Sequence, residues 1–162
     1  MNEVRIFSPA TVANVGCGFD TLGFCLDSIG DEMIIRKKKS KGIEITQIKG
    51  FNLPTDPKLN VAGVSALAMY ADLNIDFGFE IEIFKKIKPG SGIGSSSASA
   101  IGSVYGINFL LGNPFNKSKL IEYALKGEAL ASKTEHADNI APGILGGFTL
   151  VRSVNPLDVI QL

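Results

Sequence analysis

The chain has 162 residues, 45% hydrophobic and 20% charged, so it can bury a substantial core as one domain spanning 1–162. Its 16 Lys and Arg are balanced by 16 Asp and Glu, which argues against nucleic acid or an anionic membrane as a partner. Two cysteines and one histidine are too few for a structural zinc site. With no secretory signal and no apolar run of about 18 residues, they point to a cytoplasmic location.

Val4 to Phe7 alternates as a first strand and is halted by Ser8-Pro9. Thr11 to Asp20, rich in Gly, Asn and small residues, reads as a loop, and Leu22 to Leu26 as a second short strand. Glu32 to Lys38 and Gly42 to Ile48 read as a hairpin pair, with Ile43, Ile45 and Ile48 on the apolar side. The basic cluster Arg36 to Lys39 with Lys41 is short and lacks interleaved aromatics, so it reads as a solvated strand end. After a turn-rich stretch from Phe51 to Pro57, Asn60 to Leu73 places Val64, Leu67, Ala68 and Ala71 at helical spacing. Phe77 to Ile87 alternates as a half-buried strand, Phe77, Phe79, Ile81 and Ile83 against Gly78, Glu80 and Glu82.

A glycine-rich loop then leads into a small-residue helix over Ser95 to Leu111, ended by Gly112-Asn113-Pro114. A third helix is expected over Lys117 to Ala131. Thr134 to Gly147, interrupted by Pro142 and three glycines, reads as loop-like, and Phe148 to Val151 as a last strand. Val159-Ile160 look like the start of another apolar element, so the chain reads as cut rather than finished. The fold class is α+β: a mostly antiparallel sheet with helices packed on one face.

The segment Lys88-Pro89-Gly90-Ser91-Gly92-Ile93-Gly94-Ser95-Ser96-Ser97-Ala98-Ser99-Ala100 lies between a strand and a helix. Its glycines allow positive φ and close approach to a ligand, and successive N–H groups there form an anion-binding concavity. The following helix adds unpaired N–H groups and the positive end of its dipole, so phosphate is the natural guest. Ser95, Ser96 and Ser97 supply hydroxyls able to cap the helix, hold phosphate oxygens or ligate Mg²⁺. No Gly-Lys-Ser/Thr ends the loop, and Gly-x-Gly-x-Gly does not have Rossmann spacing.

Gly92-Ile93-Gly94-Ser95-Ser96-Ser97 after Pro89 resembles the Pro-x-x-x-Gly-Leu-Gly-Ser-Ser-Ala signature of the GHMP small-molecule kinases, with Ile for Leu and Ser97 for Ala. Ser8-Pro9-Ala10-Thr11-Val12-Ala13-Asn14-Val15-Gly16-Cys17-Gly18-Phe19-Asp20 resembles the first signature of that family in its homoserine kinase form. Glu128, His136 to Pro142 and Gly146-Gly147 match a third element, so the likeness spans nearly the whole chain. The glycine-rich signature of the family's second half is absent. The resemblance is thus to the N-terminal half of such kinases, and it implies a ribosomal protein S5 domain 2-like fold with the C-terminal GHMP domain missing.

The resemblance also implies roles. ATP would lie along Lys88 to Ser97, with Asn60 and Val61 near adenine. Mg²⁺ would be held by Ser96 and Glu128 between the β- and γ-phosphates. L-Homoserine, the implied small-molecule substrate, would meet Asn14, Asp20, His136 and Asn139. Taken alone, Glu128 reads as a solvated helix residue, Asp20 as a turn residue, His136 as a bystander and Asn60 as a helix N-cap.

Asn139 is the informative departure, because mevalonate-type members place a catalytic Asp at that point between Glu128 and Gly146. An amide cannot accept a proton as a general base. Asp138 is adjacent but out of register, and in an extended loop it would point elsewhere. This favours phosphorylation of L-homoserine to O-phospho-L-homoserine, on the way to threonine, by alignment and charge. Ser96, Glu128 and Asn139 are the expected catalytic set. Alternatives are another GHMP kinase acting on an isoprenoid alcohol, sugar or shikimate, or a non-catalytic S5-like binding module. A chain without the second half of the cleft is expected to lack useful activity, and its exposed apolar edge offers a surface for a homodimer.

Overall fold

The computed structural model describes residues 1–132 and 136–162, with no side-chain description for residue 132. In chain order the elements are β1 (Glu3–Val15), β2 (Gly18–Lys38), β3 (Gly42–Lys49), α1 (Val61–Ala71), β4 (Gly78–Phe84), α2 (Ser95–Leu110), α3 (Lys117–Ser132), α4 (Ala137–Leu145), β5 (Phe148–Val154) and β6 (Leu157–Gln161). The sheet order is β3-β4-β2-β5-β6, with β1 also paired to β2. Every pairing is antiparallel except β3 with β4.

Period-two patterning sets the two faces. Met33 and Ile35 of β2, with Phe79, Ile81 and Ile83 of β4, are fully buried toward the helices. Against them pack Ala62, Ala66 and Met69 of α1, Val104 and Ile107 of α2, and Leu120, Ile121 and Ala124 of α3. The opposite face carries charge: Glu82 meets Arg36 on one neighbouring strand at 3.4 Å and Lys49 on the other at 2.9 Å.

The first strand is not halted at Ser8-Pro9 but runs on to Val15, with Ser8 and Pro9 paired to Asp31 and Gly30. Three further sequence expectations are corrected. The strands at Glu32–Lys38 and Gly42–Ile48 do not form a hairpin, because β4 lies between them, antiparallel to β2 and parallel to β3. Its inward residues need burial from both sides, and its outward Glu82 finds cations on both flanks. Thr11 to Asp20 is not a loop but the paired ends of β1 and β2, closed at Gly16-Cys17. Asn14 and Asp20 lie at an irregularity in that ladder and Gly16 in its closing turn; all three have φ near +58, and Asn14 Oδ1 accepts the Asp20 N–H at 2.8 Å.

The third correction is α4, a helix in the stretch expected to be loop-like; Thr134 and Glu135 of that stretch lie outside the described residues. Ala137, Ile140, Ala141 and Ile144 form its buried stripe. Pro142 has no N–H to give the carbonyl of Asp138. Gly23 of β2 approaches that carbonyl so closely that a Cβ would overlap it.

Helix α3 reaches the site by packing on α1 through Gly127, where a Cβ would overlap Ser65 Oγ and the Val61 carbonyl. Gly127→Ala is expected to lower stability by about 1–3 kcal/mol, the cost of overpacking a closed core. Urea denaturation measures it, and an unchanged or raised midpoint would show that the α1–α3 contact gives way freely.

Candidate functional site

The loop between β4 and α2 holds Gly90, Gly92 and Gly94 at φ values of +75, +78 and +67, conformations that favour glycine. It opens onto the N-terminus of α2, a 16-residue helix with no side-chain cap. Ser95 turns its hydroxyl inward, donating to the Ile87 carbonyl at 3.0 Å. Ser96 and Ser97 donate to the two carboxylate oxygens of Glu128 on α3, each at 3.1 Å. Glu128 is therefore not a solvated helix residue: only 8% of it is exposed. Burial pushes its carboxyl above the usual range, and the two serine hydroxyls pull it partly back.

Both ends of the loop are tied to one buried ion pair. Lys85 projects inward from the residue after β4, and its ammonium bonds Asp31 of β2, the Ser95 carbonyl at 2.7 Å and Ser99 Oγ at 3.1 Å. The other oxygen of Asp31 accepts the N–H groups of Lys86 at 2.7 Å and Ile87 at 2.9 Å. Burial pulls the Lys85 ammonium below the usual lysine range, and the Asp31 carboxylate acts in the opposite sense.

A cleft of about 560 Å³ lies over the loop. Of the residues singled out in the sequence, Asn14, Asn60, Val61, Pro89, Gly90, Ser91, Gly92, Gly94, Ser95, Ser96, Ser97, Glu128 and Asn139 line it. Asn60 also caps α1, accepting from Ala62 N–H at 2.9 Å, and Leu53, Pro54 and Leu59 give that end of the cleft an apolar wall. Asp20 and His136 stand apart from the cleft lining with Nδ1 and Oδ1 3.5 Å apart, and Asn14 connects Asp20 to it. Lys88 is exposed and does not line the cleft, and Ile93 packs against the small cluster of Ala10, Ile87 and Ala98. Asp138 is helical rather than extended; it is buried beside Asn139 and is not among the lining residues. Its Oδ1 has no hydrogen-bond partner among the described residues, and burial pushes its carboxyl up.

The sequence reading missed Lys85, Asp31, Ser99 and Thr11. Two of these carried a signal. Lys85 continues the inward series Phe79, Ile81, Ile83, and Asp31 the inward series with Met33 and Ile35, so each is a charge in core phase.

Residues 60–147 match the model of the GHMP kinases N terminal domain, from the cap of α1 through the loop, Glu128 and Asn139 to the edge of β5. The chain belongs to the GHMP kinase family. It is 44% identical to a homoserine kinase of Methanococcus vannielii, over all of this chain and 54% of that protein. It is 49% identical to a homoserine kinase of Cytophaga hutchinsonii of known crystal structure, with a TM-score of 0.94, covering 100% of this chain and 52% of the other. The Methanococcus jannaschii mevalonate kinase shares the fold at 17% identity, TM-score 0.75, over 99% of this chain and 56% of its own. The chain thus spans about half the length of the curated relatives it matches. Among the described residues, no helix of this GHMP kinase domain is long and apolar enough to cross a membrane.

Two outcomes are expected from the buried charges. Lys85→Met leaves Asp31 buried without its cation and should cost about 3–5 kcal/mol. Lys85→Met combined with Asp31→Asn should recover part of that loss, since an amide oxygen still accepts from Lys86 and Ile87; equal denaturation midpoints for single and double variants would contradict this. For Glu128 the folded carboxyl is raised, so between its ordinary value of 4.5 and the raised value the folded chain keeps a proton that the unfolded chain has released. Its contribution to stability is thus complete below 4.5 and is lost as pH rises through the folded value. Glu128→Gln escapes that loss, so its advantage in thermal midpoint should grow between pH 4 and pH 8, by about 2–4 °C per kcal/mol. Melting curves with a constant or shrinking difference would contradict the burial argument.

Proposed function

We propose that the full-length protein transfers the γ-phosphoryl group of ATP to L-homoserine, giving O-phospho-L-homoserine for threonine synthesis in the cytoplasm. The observation that carries the reading is the meeting of Ser96 and Glu128, 32 residues apart in sequence, at 3.1 Å beside the glycine loop. The named homoserine kinases at 44% and 49% identity support the choice of substrate.

The residues present fit a nucleotide and a divalent cation. Loop N–H groups and the α2 N-terminus suit phosphates, and the apolar wall beside Asn60 and Val61 suits adenine. Ser96 and Glu128 offer hard oxygen donors, in keeping with a Mg²⁺ ion that takes a few protein ligands and keeps its phosphates and waters. That ion would offset charge on the phosphates during transfer. Asn14, Asp20, His136 and Asn139 would hold the amino-acid alcohol, with Asp20 pairing its amino group. Asp138, the carboxylate next to Asn139, is not among the described residues that line the cleft, so it does not stand in for Asn139 as a base there. Rate then comes from alignment and from the field of the loop N–H groups and the α2 dipole.

The test is ADP release by the full-length protein with L-homoserine, mevalonate, galactose and shikimate. Turnover is expected with L-homoserine alone, and is expected to vanish in Glu128→Gln and on removal of Mg²⁺. The 162-residue chain by itself is expected to show no homoserine-dependent release. Preference for another alcohol, or RNA binding without ATP binding, would overturn the reading.

A further inference from the structure

Asn139 enters the cleft from the first turn of α4, and Thr11 holds its amide from the sheet side. Thr11 is fully buried in β1, at the register shift after Pro9. Its N–H donates to the Ile93 carbonyl at 3.2 Å, and its hydroxyl lies so near Gly94 that a Cβ there would overlap it. It therefore touches both the last turn of the phosphate loop and the amide. A hydroxyl has one proton, and Thr11 Oγ1 donates it to Asn139 Oδ1 at 2.8 Å. An amide is planar, so fixing its oxygen on Thr11 turns its NH₂ group away from Thr11. Because Asn139 lines the cleft, the group left to face it is a donor.

We propose that Thr11 is a positioning residue that holds the Asn139 amide with its NH₂ group toward the cleft, so that Asn139 donates to the phosphoryl group in transit instead of accepting from the substrate hydroxyl. This rests on the phosphoryl-transfer reading above. In the step itself the substrate hydroxyl oxygen bonds to the γ-phosphorus, and the bond to the bridging oxygen breaks with its electron pair leaving on ADP. The hydroxyl proton passes to an oxygen of the transferred phosphoryl group. A donor aimed at those oxygens acts where charge is rearranged, which raises kcat more than it tightens binding.

The experiment is a double-mutant cycle in the full-length protein at saturating ATP and L-homoserine. Asn139→Ala is expected to lower kcat on the order of 10²-fold, the usual loss of one preorganised donor. Thr11→Val should lower kcat roughly 10- to 100-fold with the KM for ATP unchanged, as misaimed groups do. Thr11→Ser keeps the hydroxyl and should restore the rate, whereas Thr11→Val added to Asn139→Ala should cost nothing more. Thr11→Ala supplies the same comparison if Thr11→Val does not fold. A Thr11→Val loss of equal size in both backgrounds would mean Thr11 only packs the loop, and would overturn the proposal. So would a raised KM at constant kcat, or full activity in Asn139→Ala. If the wild-type enzyme ignores L-homoserine and phosphorylates another alcohol, the substrate reading fails, and the same cycle run on that alcohol still decides the role of Thr11.

Discussion

A loop of glycine and serine has little of its own to hold it in one shape, and here two buried charges beneath it do that work. Asp31 and Lys85 are both removed from water, at 0% and 2% side-chain exposure, and such a pair gains little net stability over apolar residues of similar size. Its effect on geometry is larger. Asp31 binds the strand exit at Lys86 and Ile87, while Lys85 binds the helix start at Ser95 and Ser99. Sliding β4 against α2 would strip bonds from a desolvated charge, which costs several kcal/mol. The pair therefore sets the separation of the loop's two ends, and the glycines between them need only provide the curvature.

The rest of the cleft is built outward from that fixed point. Placing Ser95 places the next turn, so Ser96 and Ser97 face α3 and take the two oxygens of Glu128. The close contact of Gly127 with α1 brings Glu128 within their reach, and the same helix α1 begins at Asn60 on the cleft wall. On the other side Thr11 joins β1 to the loop and to α4. Four elements that are distant in sequence thus meet through hydrogen bonds to short side chains. Glu128 is the strained member, a carboxylate whose burial disfavours its charge, and such a residue is kept at a cost in stability where function needs it.

Much of this could be read from residues whose local pattern is unambiguous. The alternation of β4, the helical spacing of α1 and the glycine loop all appear in the structure as the sequence implies. What was missed turns on contacts between distant segments. Proximity along the chain favours a hairpin between Glu32–Lys38 and Gly42–Ile48, yet β4 lies between them, with Phe79, Ile81 and Ile83 buried in the core. Pro142 and three nearby glycines outweighed the buried stripe of α4, because nothing local tells that Gly23 covers the carbonyl left free. Lys85 and Asp31 stand in core phase on their strands, but that each answers the other appears only once those strands are paired. The same holds for Glu128, whose burial depends on two serines 31 and 32 residues away.

The balance of donors and acceptors in the cleft bears on how it would hold a nucleotide. The loop N–H groups and the α2 N-terminus favour negative charge, and on the proposal above the Asn139 amide does too. Among the described lining residues Glu128 alone opposes it, and it sits at the serines that begin the helix. A polyphosphate laid on the loop would come close to that side chain, and on the proposed reading a cation lies between them. Burial disfavours the bare charged form of Glu128 and so holds its carboxyl above the usual range. On the proposed reading Mg²⁺ takes the place of the carboxyl proton, because metal and proton compete for the same oxygen lone pairs. The same burial that disfavours a bare carboxylate at Glu128 would, on that reading, favour a nucleotide that brings its cation.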